Sequence, residues 1–463
     1  MSESRERPRG PVDLETVGPL LVERLPAHLA QQRWAGAHDQ AVRDVVARWW
    51  ELVCDDGEVA LVWGLVDAQR GDEAVTYQLF VGLRPVADPP EFLEGKEREL
   101  LGELAVPGGP LVAYDALVDP DLAIAVLHLV DPSAEVEVRR PIVLEHSNSS
   151  VVFDERLILK VLRHIEDGPN PDVVLTRELA ARGSTHVLAP LAELHRDGTD
   201  LAVLREFLVG ATEGWQLART SVRDVLAARV PPEEAGGDLA PDSERLGAVL
   251  ADLHSDLAAV SSSEAPDTAA WVAQMEEKLD EVVARSAHEL PAGVDAVQIR
   301  DRYRRLLALP DVGRQIYIHG DLHLAQVIRT DDGWKVLDFE GEPARRRDDR
   351  FTSSSPLRDV AGIVRSLHYA AATGLADWDP DDGELRELAA AWEDRNREAF
   401  LRGYLGTEAI APLLPAEPAA VQDVLAAFEL DKAVYELAYE LAYRPEQVGI
   451  PAEGIARLVK AAS

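Results

Sequence analysis

Cysteine is almost absent from this chain, since Cys54 is the single one among 463 residues. One thiol cannot form an intramolecular disulfide, so a disulfide scaffold is excluded. No run approaches the roughly 20 apolar residues that a membrane helix needs, and the first ten residues contain no apolar signal core. We therefore expect a soluble, cytoplasmic protein that does not bind membranes.

Basic residues are also scarce, with 47 Lys and Arg against 83 Asp and Glu, which gives a formal net charge of −36. A field of this sign opposes binding to nucleic acids and to anionic membranes. A small cationic substrate is compatible with it, although acidity that only serves solubility is the simpler explanation. The length predicts two or three domains.

The most informative stretch is His319-Gly320-Asp321, with Gln326 five residues after the aspartate and Asp338 twelve residues further on. Short strand-like runs precede both aspartates, and residues 330 to 333 have the composition of a hairpin turn. A carboxylate that accepts a hydroxyl proton and oxygen ligands for Mg²⁺ are what a phosphoryl-transfer site needs. Each aspartate alone is typical of an ordinary turn or helix cap, but their conjunction predicts such a site.

A second set of residues predicts a nucleotide-binding lobe between Ile142 and Gly210. A Ser/Asn turn with Ser149 can offer backbone N–H groups to phosphates, and Lys160 lies within a strand-like run and can contact the α- and β-phosphates. Either Glu178 or Asp172 can pair with Lys160, and the sequence leaves both open.

The strand that ends in Gly210 is typical of an interlobe hinge. The backbone groups of Glu206 and Leu208 are therefore our candidates for the edge of the adenine ring.

The chain divides into three predicted parts. Residues 1–90 contain a helix-like segment and alternating runs that indicate an antiparallel sheet. Residues 91–209 begin with a helical and loop segment to about 140 and continue as the nucleotide lobe. Residues 210–463 have mostly helical periodicity and contain the catalytic motif.

With these motifs assembled, the chain resembles the aminoglycoside phosphotransferase superfamily, and within it the maltokinases and the related glucosamine kinases. The resemblance rests on the catalytic stretches above and on four further motifs: Arg358-Asp359-Val360-Ala361-Gly362, Gly214-Trp215-Gln216, Asp431-Lys432-Ala433-Val434-Tyr435-Glu436 and Tyr439-Glu440. It implies an α+β, bilobal, protein-kinase-like fold with an extra N-terminal α/β cap domain. It also implies ATP as donor, Asp321 as catalytic base, and Gln326 and Asp338 as Mg²⁺ ligands.

The acceptor is expected to be a small-molecule sugar. Tyr435, Tyr439 and Tyr443 recur every four residues with Glu436 and Glu440 beside them, a pattern that fits a sugar subsite or ordinary helix packing equally well. Our candidate acceptor residues beside Asp321 are His323, Glu340, Trp392, Tyr435, Glu436, Tyr439 and Glu440.

The tail from Leu441 to Pro451 departs from the maltokinase pattern. This departure favours a smaller, cationic acceptor. We predict phosphorylation of glucosamine at its 6-hydroxyl, with maltose as the second hypothesis and an aminoglycoside as the third. A non-catalytic pseudokinase is the alternative of a different class, and the oligomeric state is predicted to be a monomer or a weak homodimer.

Overall fold

The computed structural model describes residues 11–35, 41–71, 73–86, 91–137, 142–145, 148–261, 263–286, 290–291, 293–341, 353–379 and 381–460. The chain forms two compact units. The first contains residues 1–173 and 189–209, and the second contains residues 174–188 and 210–463. Within the described ranges, no helix is long and apolar enough to cross a bilayer.

The first unit begins with helix α1 (Leu14–Leu29), whose N-terminus is capped by the Asp13 carboxylate. An antiparallel sheet with the order β1-β2-β3-β5-β4 packs against it. Its strands are β1 (Val42–Asp55), β2 (Ala60–Arg70), β3 (Glu73–Pro85), β4 (Leu100–Leu104) and β5 (Leu111–Asp115). The sheet thus continues past residue 90, and the predicted helical and loop segment contains the strands β4 and β5 besides a helix at Pro120–Val130. These two strands have consecutive apolar residues, a pattern that periodicity alone does not distinguish from a helix.

A second antiparallel sheet of this unit has the order β10-β11-β8-β7-β6. Its strands are β6 (Ile142–Glu145), β7 (Ser149–Phe153), β8 (Leu157–Val161), β10 (Ala192–Arg196) and β11 (Thr199–Glu206). Helix α2 (Pro120–Val130) joins the two sheets in sequence, and β9 (His164–Ile165) pairs with β3 of the first sheet.

Buried polar contacts tie the two sheets of the first unit together. The Gln78 amide donates to the carbonyl oxygens of Leu162 and Leu201, at 2.9 Å each, and accepts from the indole of Trp63. The Arg163 guanidinium forms an ion pair of 2.5 Å with Asp115, and both side chains are almost fully buried. Separating the two sheets would break this ion pair and leave buried charges without a partner, which is costly. We therefore expect the two sheets to move as one body.

Helix α3 (Pro171–Ala181) crosses from the first unit into the second, which is mainly helical. The further helices are α4 (Gly214–Ala228), α5 (Ala240–Ser261), α6 (Thr268–Ser286), α7 (Ala296–Arg305), α8 (Leu357–Leu375), α9 (Gly383–Gly406), α10 (Pro418–Tyr443) and α11 (Gly449–Lys460). Short strands complete the unit: β12 (Thr212–Glu213), β13 (Ile316–Tyr317), β14 (Val327–Thr330), β15 (Gly333–Val336) and β16 (Ser353–Ser354). The hairpin of β14 and β15 confirms the turn predicted from residues 330 to 333.

Two glycines allow helices α5 and α9 to touch. A Cβ atom on Gly403 would lie 1.9 Å from the Glu244 carbonyl oxygen, and one on Gly247 would lie 2.1 Å from the Phe400 carbonyl oxygen. Neither distance is sterically allowed, so the close crossing requires glycine at both positions. Helix α5 contains His254, which contacts Asp359 in the network of the catalytic loop described below.

Candidate active site

A buried carboxylate shapes the loop that contains Asp321. Asp359, near the start of α8, accepts hydrogen bonds from the backbone N–H of His319 at 2.7 Å and of Gly320 at 2.9 Å. Gly320 has a φ of +86°, in the left-handed region that glycine adopts at little cost. The loop therefore turns sharply after β13 and presents Asp321 at its tip.

Asp359 is itself held by a buried network. His254 Nε2 lies 3.2 Å from its Oδ2, and His254 Nδ1 lies 2.9 Å from the Tyr404 hydroxyl. Burial by itself raises the pKa of Asp359, but the hydrogen bond and charge of His254, with those of the catalytic loop, lower it below its usual value. With an ionised Asp359, His254 donates from Nε2 and accepts from the tyrosine, an assignment that rests on the network.

The two predicted Mg²⁺ ligands lie side by side. Gln326 Nε2 donates to Asp338 Oδ2 at 3.1 Å. The Leu337 backbone N–H donates to the Gln326 carbonyl oxygen, and His319 Nε2 donates to that of Leu337 at 2.8 Å. These bonds join the catalytic loop to the strand end that carries Asp338.

Asp338 has a φ of +67°, which is costly for a residue with a Cβ atom. The Glu340 N–H donates to the Asp338 carbonyl oxygen at 2.8 Å, and carboxylate oxygens of these two residues lie within 4.8 Å of each other. Carboxylate and amide oxygens are the ligands that Mg²⁺ prefers. The carboxylates of Asp338 and Glu340 therefore form a donor pair that fits this ion. The Gln326 amide lies beside them and would have to rotate to add its oxygen, because its Nε2 faces Asp338.

A lysine that the sequence reasoning did not assign contacts the predicted base. Lys432, on α10, places its Nζ 2.8 Å from Asp321 Oδ1. The same ammonium lies 4.7 Å from the centre of the Tyr435 ring, and Lys278 of α6 lies 5.5 Å from that centre. Tyr435 thus stands between two cations beside the catalytic loop, a favourable arrangement for an aromatic face.

Two adjacent depressions share Arg358, Phe428 and Asp431 as lining residues. The first is also lined by Gly320, Leu322, Gly362 and Lys432. The second is also lined by Trp271, Gln274, Met275 and Lys278. Together they form a groove that begins next to the predicted base, and we call it the acceptor groove.

Asp431 is the buried carboxylate of the acceptor groove. Its side chain is 6% exposed, and its Oδ2 pairs with Lys278 Nζ at 3.2 Å. Its Oδ1 is buried and has no hydrogen-bond partner in the part of the chain that the structure describes. An unsatisfied buried carboxylate oxygen is costly unless a ligand supplies a donor.

Glu436 and Glu440, the acidic residues predicted beside the tyrosines, do not line the acceptor groove. Glu436 accepts two hydrogen bonds from the buried Arg365 of α8, at 2.6 and 3.0 Å. Glu440 accepts from the Tyr369 hydroxyl and from Arg444. Both carboxylates therefore hold α10 against α8, although Glu440 Oε2 is buried and has no hydrogen-bond partner among the described residues. Their contact with the acceptor stays a prediction.

The predicted aromatic acceptor residues have three different surroundings. Tyr435 contacts Lys432 and Lys278, two residues that line the acceptor groove, whereas Tyr439 and Tyr443 are exposed and contact each other with ring centres 4.8 Å apart. Trp392 is 1% exposed, and its indole N–H donates to Ser221 Oγ at 2.9 Å. It belongs to the core of the second unit, so its assignment to the acceptor is wrong.

His323 caps the short turn after the catalytic loop, because its Nδ1 accepts from the Ala325 N–H at 3.2 Å. Burial lowers the pKa of His323 to about 4, with the charge of Asp321 opposing this shift. The ring is therefore neutral near pH 7. It can accept or donate a hydrogen bond there but does not contribute a positive charge.

In the first unit, Lys160 pairs with Asp172, whose Oδ2 lies 3.3 Å from the Lys160 Nζ and 2.9 Å from Arg205. The carboxylate is almost fully buried between these two cations. The partner of Lys160 is thus Asp172, at the start of α3. The Asp172 N–H donates to the Asn170 side chain, and this hydrogen bond fixes the start of the helix. Glu178, the alternative, is exposed.

The Ser149 hydroxyl is held within the first unit, and contact of the backbone N–H groups of this turn with phosphate stays a prediction. Its side chain is buried, and its Oγ accepts from Arg163 Nε at 2.8 Å. The neighbouring turn residues His146 and Ser147 lie outside the described residues. Glu206 ends β11, Leu208 follows it, and the boundary between the two units falls after Val209. Their contact with adenine stays a prediction.

The sequence reasoning missed Asp431, Lys432 and Lys278. The first two belong to a quoted motif, and with Phe428 and Tyr435 they are spaced as one face of a helix. That face could have been identified from the spacing. Its direction could not, because it depends on the packing of α10 against α6 and α8.

Comparison with known families supports the reading of the fold. The family described as "Maltokinase N-terminal cap domain" matches residues 28–119, and the "Phosphotransferase enzyme family" matches residues 147–341. A solved glucosamine kinase in complex with glucosamine, ADP and inorganic phosphate shares the fold. Its TM-score is 0.63 at 22% identity, over 94% of this chain and 98% of the other. The fold and the site together define a phosphotransferase with a kinase-like fold and an N-terminal cap, as the sequence predicted.

Two relatives narrow the class. A glucosamine kinase of Streptacidiphilus jiangxiensis is 31% identical over 346 residues, which cover 72% of this chain and 76% of the relative. A glucosamine kinase of Mycolicibacterium smegmatis is 27% identical over 325 residues, which cover 67% and 77%. The chain belongs to the glucosamine kinase family.

Proposed function

We propose that the protein transfers the γ-phosphoryl group of ATP to a hydroxyl of glucosamine, with the 6-hydroxyl as acceptor. The reaction is supported by family membership and by the presence of Lys160, Asp321, Gln326 and Asp338, a set that a non-catalytic relative would have lost in part. The observation that carries the choice of acceptor is the half-paired, buried carboxylate of Asp431 in the acceptor groove.

Asp321 is the base in this proposal. It accepts the proton of the acceptor hydroxyl as that oxygen attacks the γ-phosphorus, and the Asp359 network keeps it in position. Mg²⁺ bound by Asp338, Gln326 and Glu340 would neutralise charge on the phosphates. Most of the rate comes from positioning and charge compensation, since the transition state is loose.

Lys160 is proposed to contact the ATP phosphates from the first unit. The Asp172 carboxylate restricts the Lys160 side chain, because it pairs with Lys160 and is itself held by Arg205 at the start of α3. A restrained lysine loses little entropy when it binds the phosphates.

Asp431 is proposed to accept a hydrogen bond from the ammonium group of the amino sugar. Such a charge-assisted bond contributes about 1.5 to 3 kcal/mol, which corresponds to a factor of roughly 10 to 150 in affinity. A neutral sugar cannot satisfy Oδ1 equally well. Maltose therefore remains the second candidate, supported by the match to the maltokinase cap domain.

The test is ADP release with glucosamine, glucose, maltose, trehalose and kanamycin, followed by NMR of the product. We expect glucosamine to give the highest kcat/KM and a product phosphorylated at the 6-hydroxyl. Faster turnover of maltose or of kanamycin would contradict the proposed acceptor.

A paired substitution tests the amine contact. Asp431→Asn should raise KM for glucosamine about thirtyfold, equal to a loss of about 2 kcal/mol, while KM for glucose changes little. Asp423→Asn is the matched control, because Asp423 is exposed on the same helix. An equal change of KM for both sugars in Asp431→Asn would remove Asp431 from amine recognition.

A further inference from the structure

The contact between Lys432 and Asp321 joins residues 111 positions apart in the chain. Nζ and Oδ1 are separated by 2.8 Å, and the two side chains are 17% and 18% exposed. The ammonium also lies 4.7 Å from the Tyr435 ring centre. The ion pair is thus largely shielded from solvent on one side of the acceptor groove, where screening is weaker than at an open surface.

An aspartate at the tip of a loop can rotate about χ1 and χ2, and only some orientations direct an oxygen at the acceptor. Lys432 engages Oδ1, so the carboxylate is restricted and Oδ2 is the oxygen that can take the hydroxyl proton. Fixing a catalytic group in this way lowers the entropic part of the barrier. The ammonium also adds a positive charge next to the hydroxyl, where negative charge develops during transfer.

We propose that Lys432 is a positioning residue for phosphoryl transfer: it orients the Asp321 carboxylate and compensates charge at the reacting hydroxyl. This inference rests on the proposed function, since it needs Asp321 to act as the base. It does not depend on which sugar is the acceptor. The contact lies wholly within the second unit, between the catalytic loop and α10.

Lys278 offers a comparison within the same groove. It also faces the Tyr435 ring, at 5.5 Å, but its Nζ pairs with Asp431 and not with the base. Removal of either lysine changes the local charge by the same amount. Only removal of Lys432 releases Asp321, so the two variants should have different kinetic signatures.

The experiment measures kcat, KM for ATP and KM for glucosamine in Lys432→Met, Lys432→Arg and Lys278→Met, with Lys96→Met as control at an exposed site of the first unit. We expect kcat to fall about 100-fold in Lys432→Met, the size found when one preorganised donor is removed, with KM for ATP unchanged within about threefold. Lys432→Arg should recover at least about tenfold of that loss, since it restores the charge. Lys278→Met should act mainly on KM for the sugar.

Three outcomes would overturn the role of Lys432. They are a native kcat in Lys432→Met, an equal loss of kcat in Lys432→Arg when both variants keep the native unfolding temperature, and faster ATP hydrolysis without acceptor in Lys432→Met. The last would mean that the lysine blocks the base instead of positioning it. If the native protein prefers another sugar, the same variants are assayed with that sugar, so the acceptor and the role of Lys432 are tested separately.

Discussion

Replacement of Asp359 tests whether this buried carboxylate determines the conformation of the catalytic loop. The carboxylate accepts from the backbone N–H groups of His319 and Gly320 and contacts His254, at 2.7, 2.9 and 3.2 Å. Its side chain is 1% exposed. Alanine would leave all three donors without this acceptor in a site that water reaches poorly.

The cost follows from these three bonds. Each buried donor that loses its partner destabilises a protein by about 1 to 3 kcal/mol, and partial rearrangement reduces the sum, so we expect about 4 kcal/mol for Asp359→Ala. This is a large fraction of the roughly 5 to 15 kcal/mol that stabilises a domain. Asp359→Asn keeps one acceptor oxygen and should cost about 2 kcal/mol by the same reasoning.

The assay is urea unfolding combined with steady-state kinetics. Asp359→Asn should stay folded at 25 °C and should show a kcat lowered about 100-fold, because a loop misplaced by about 1 Å costs that much. Asp301→Ala, at an exposed position of α7, is the control and should stay within about 0.5 kcal/mol of the native protein. Equal unfolding midpoints for Asp359→Ala and Asp301→Ala would refute the reasoning.

Three further predictions concern the base, the metal ligand and the pH dependence of stability. Asp321→Asn should keep ATP affinity but lower kcat by about 10³-fold; native turnover would exclude it as base. Asp338→Ala should abolish the Mg²⁺-dependent part of nucleotide affinity, and identical titrations with and without Mg²⁺ in both proteins would contradict this. Burial by itself raises the pKa of Glu393, but His368 and Arg457 lower it to about 2. The ionised Glu393 therefore stabilises the folded state fully above its ordinary pKa, and about 1.4 kcal/mol of this stabilisation is lost when the pH falls from 7 to 3.5. The difference in the free energy of unfolding between the native protein and Glu393→Gln should narrow by the same amount over that pH range. A constant difference in urea unfolding would count against it.

The strands and the catalytic motif were predictable because their signals are local. The hairpin that ends at Asp338 follows from alternating apolar residues and a turn sequence within ten residues. The early antiparallel sheet has alternating runs as well, whereas β4 and β5 contain consecutive apolar residues, which periodicity alone does not distinguish from a helix, and were missed. Prediction succeeded where apolar and polar residues alternate and not where a strand is long, since β14 and β15 have four residues each.

The acceptor side was predicted less well because the direction of a helix face is not local. Glu436 and Glu440 recur with the tyrosines and suggested a sugar subsite, but packing of α8 places Arg365 and Tyr369 against them. The carboxylate that faces the groove is Asp431. A helical repeat shows which residues share a face but not which neighbour that face meets.

The sequence by itself determined the class of chemistry, since the spacing of Asp321, Gln326 and Asp338 reflects a loop and a hairpin that form from neighbouring residues. Only the tertiary structure decided which groups surround the base. Lys432 reaches Asp321 from 111 positions away, and Asp359 reaches the same loop from α8. Such partners are set by the burial of apolar helix faces, which brings distant polar residues together as a consequence of packing.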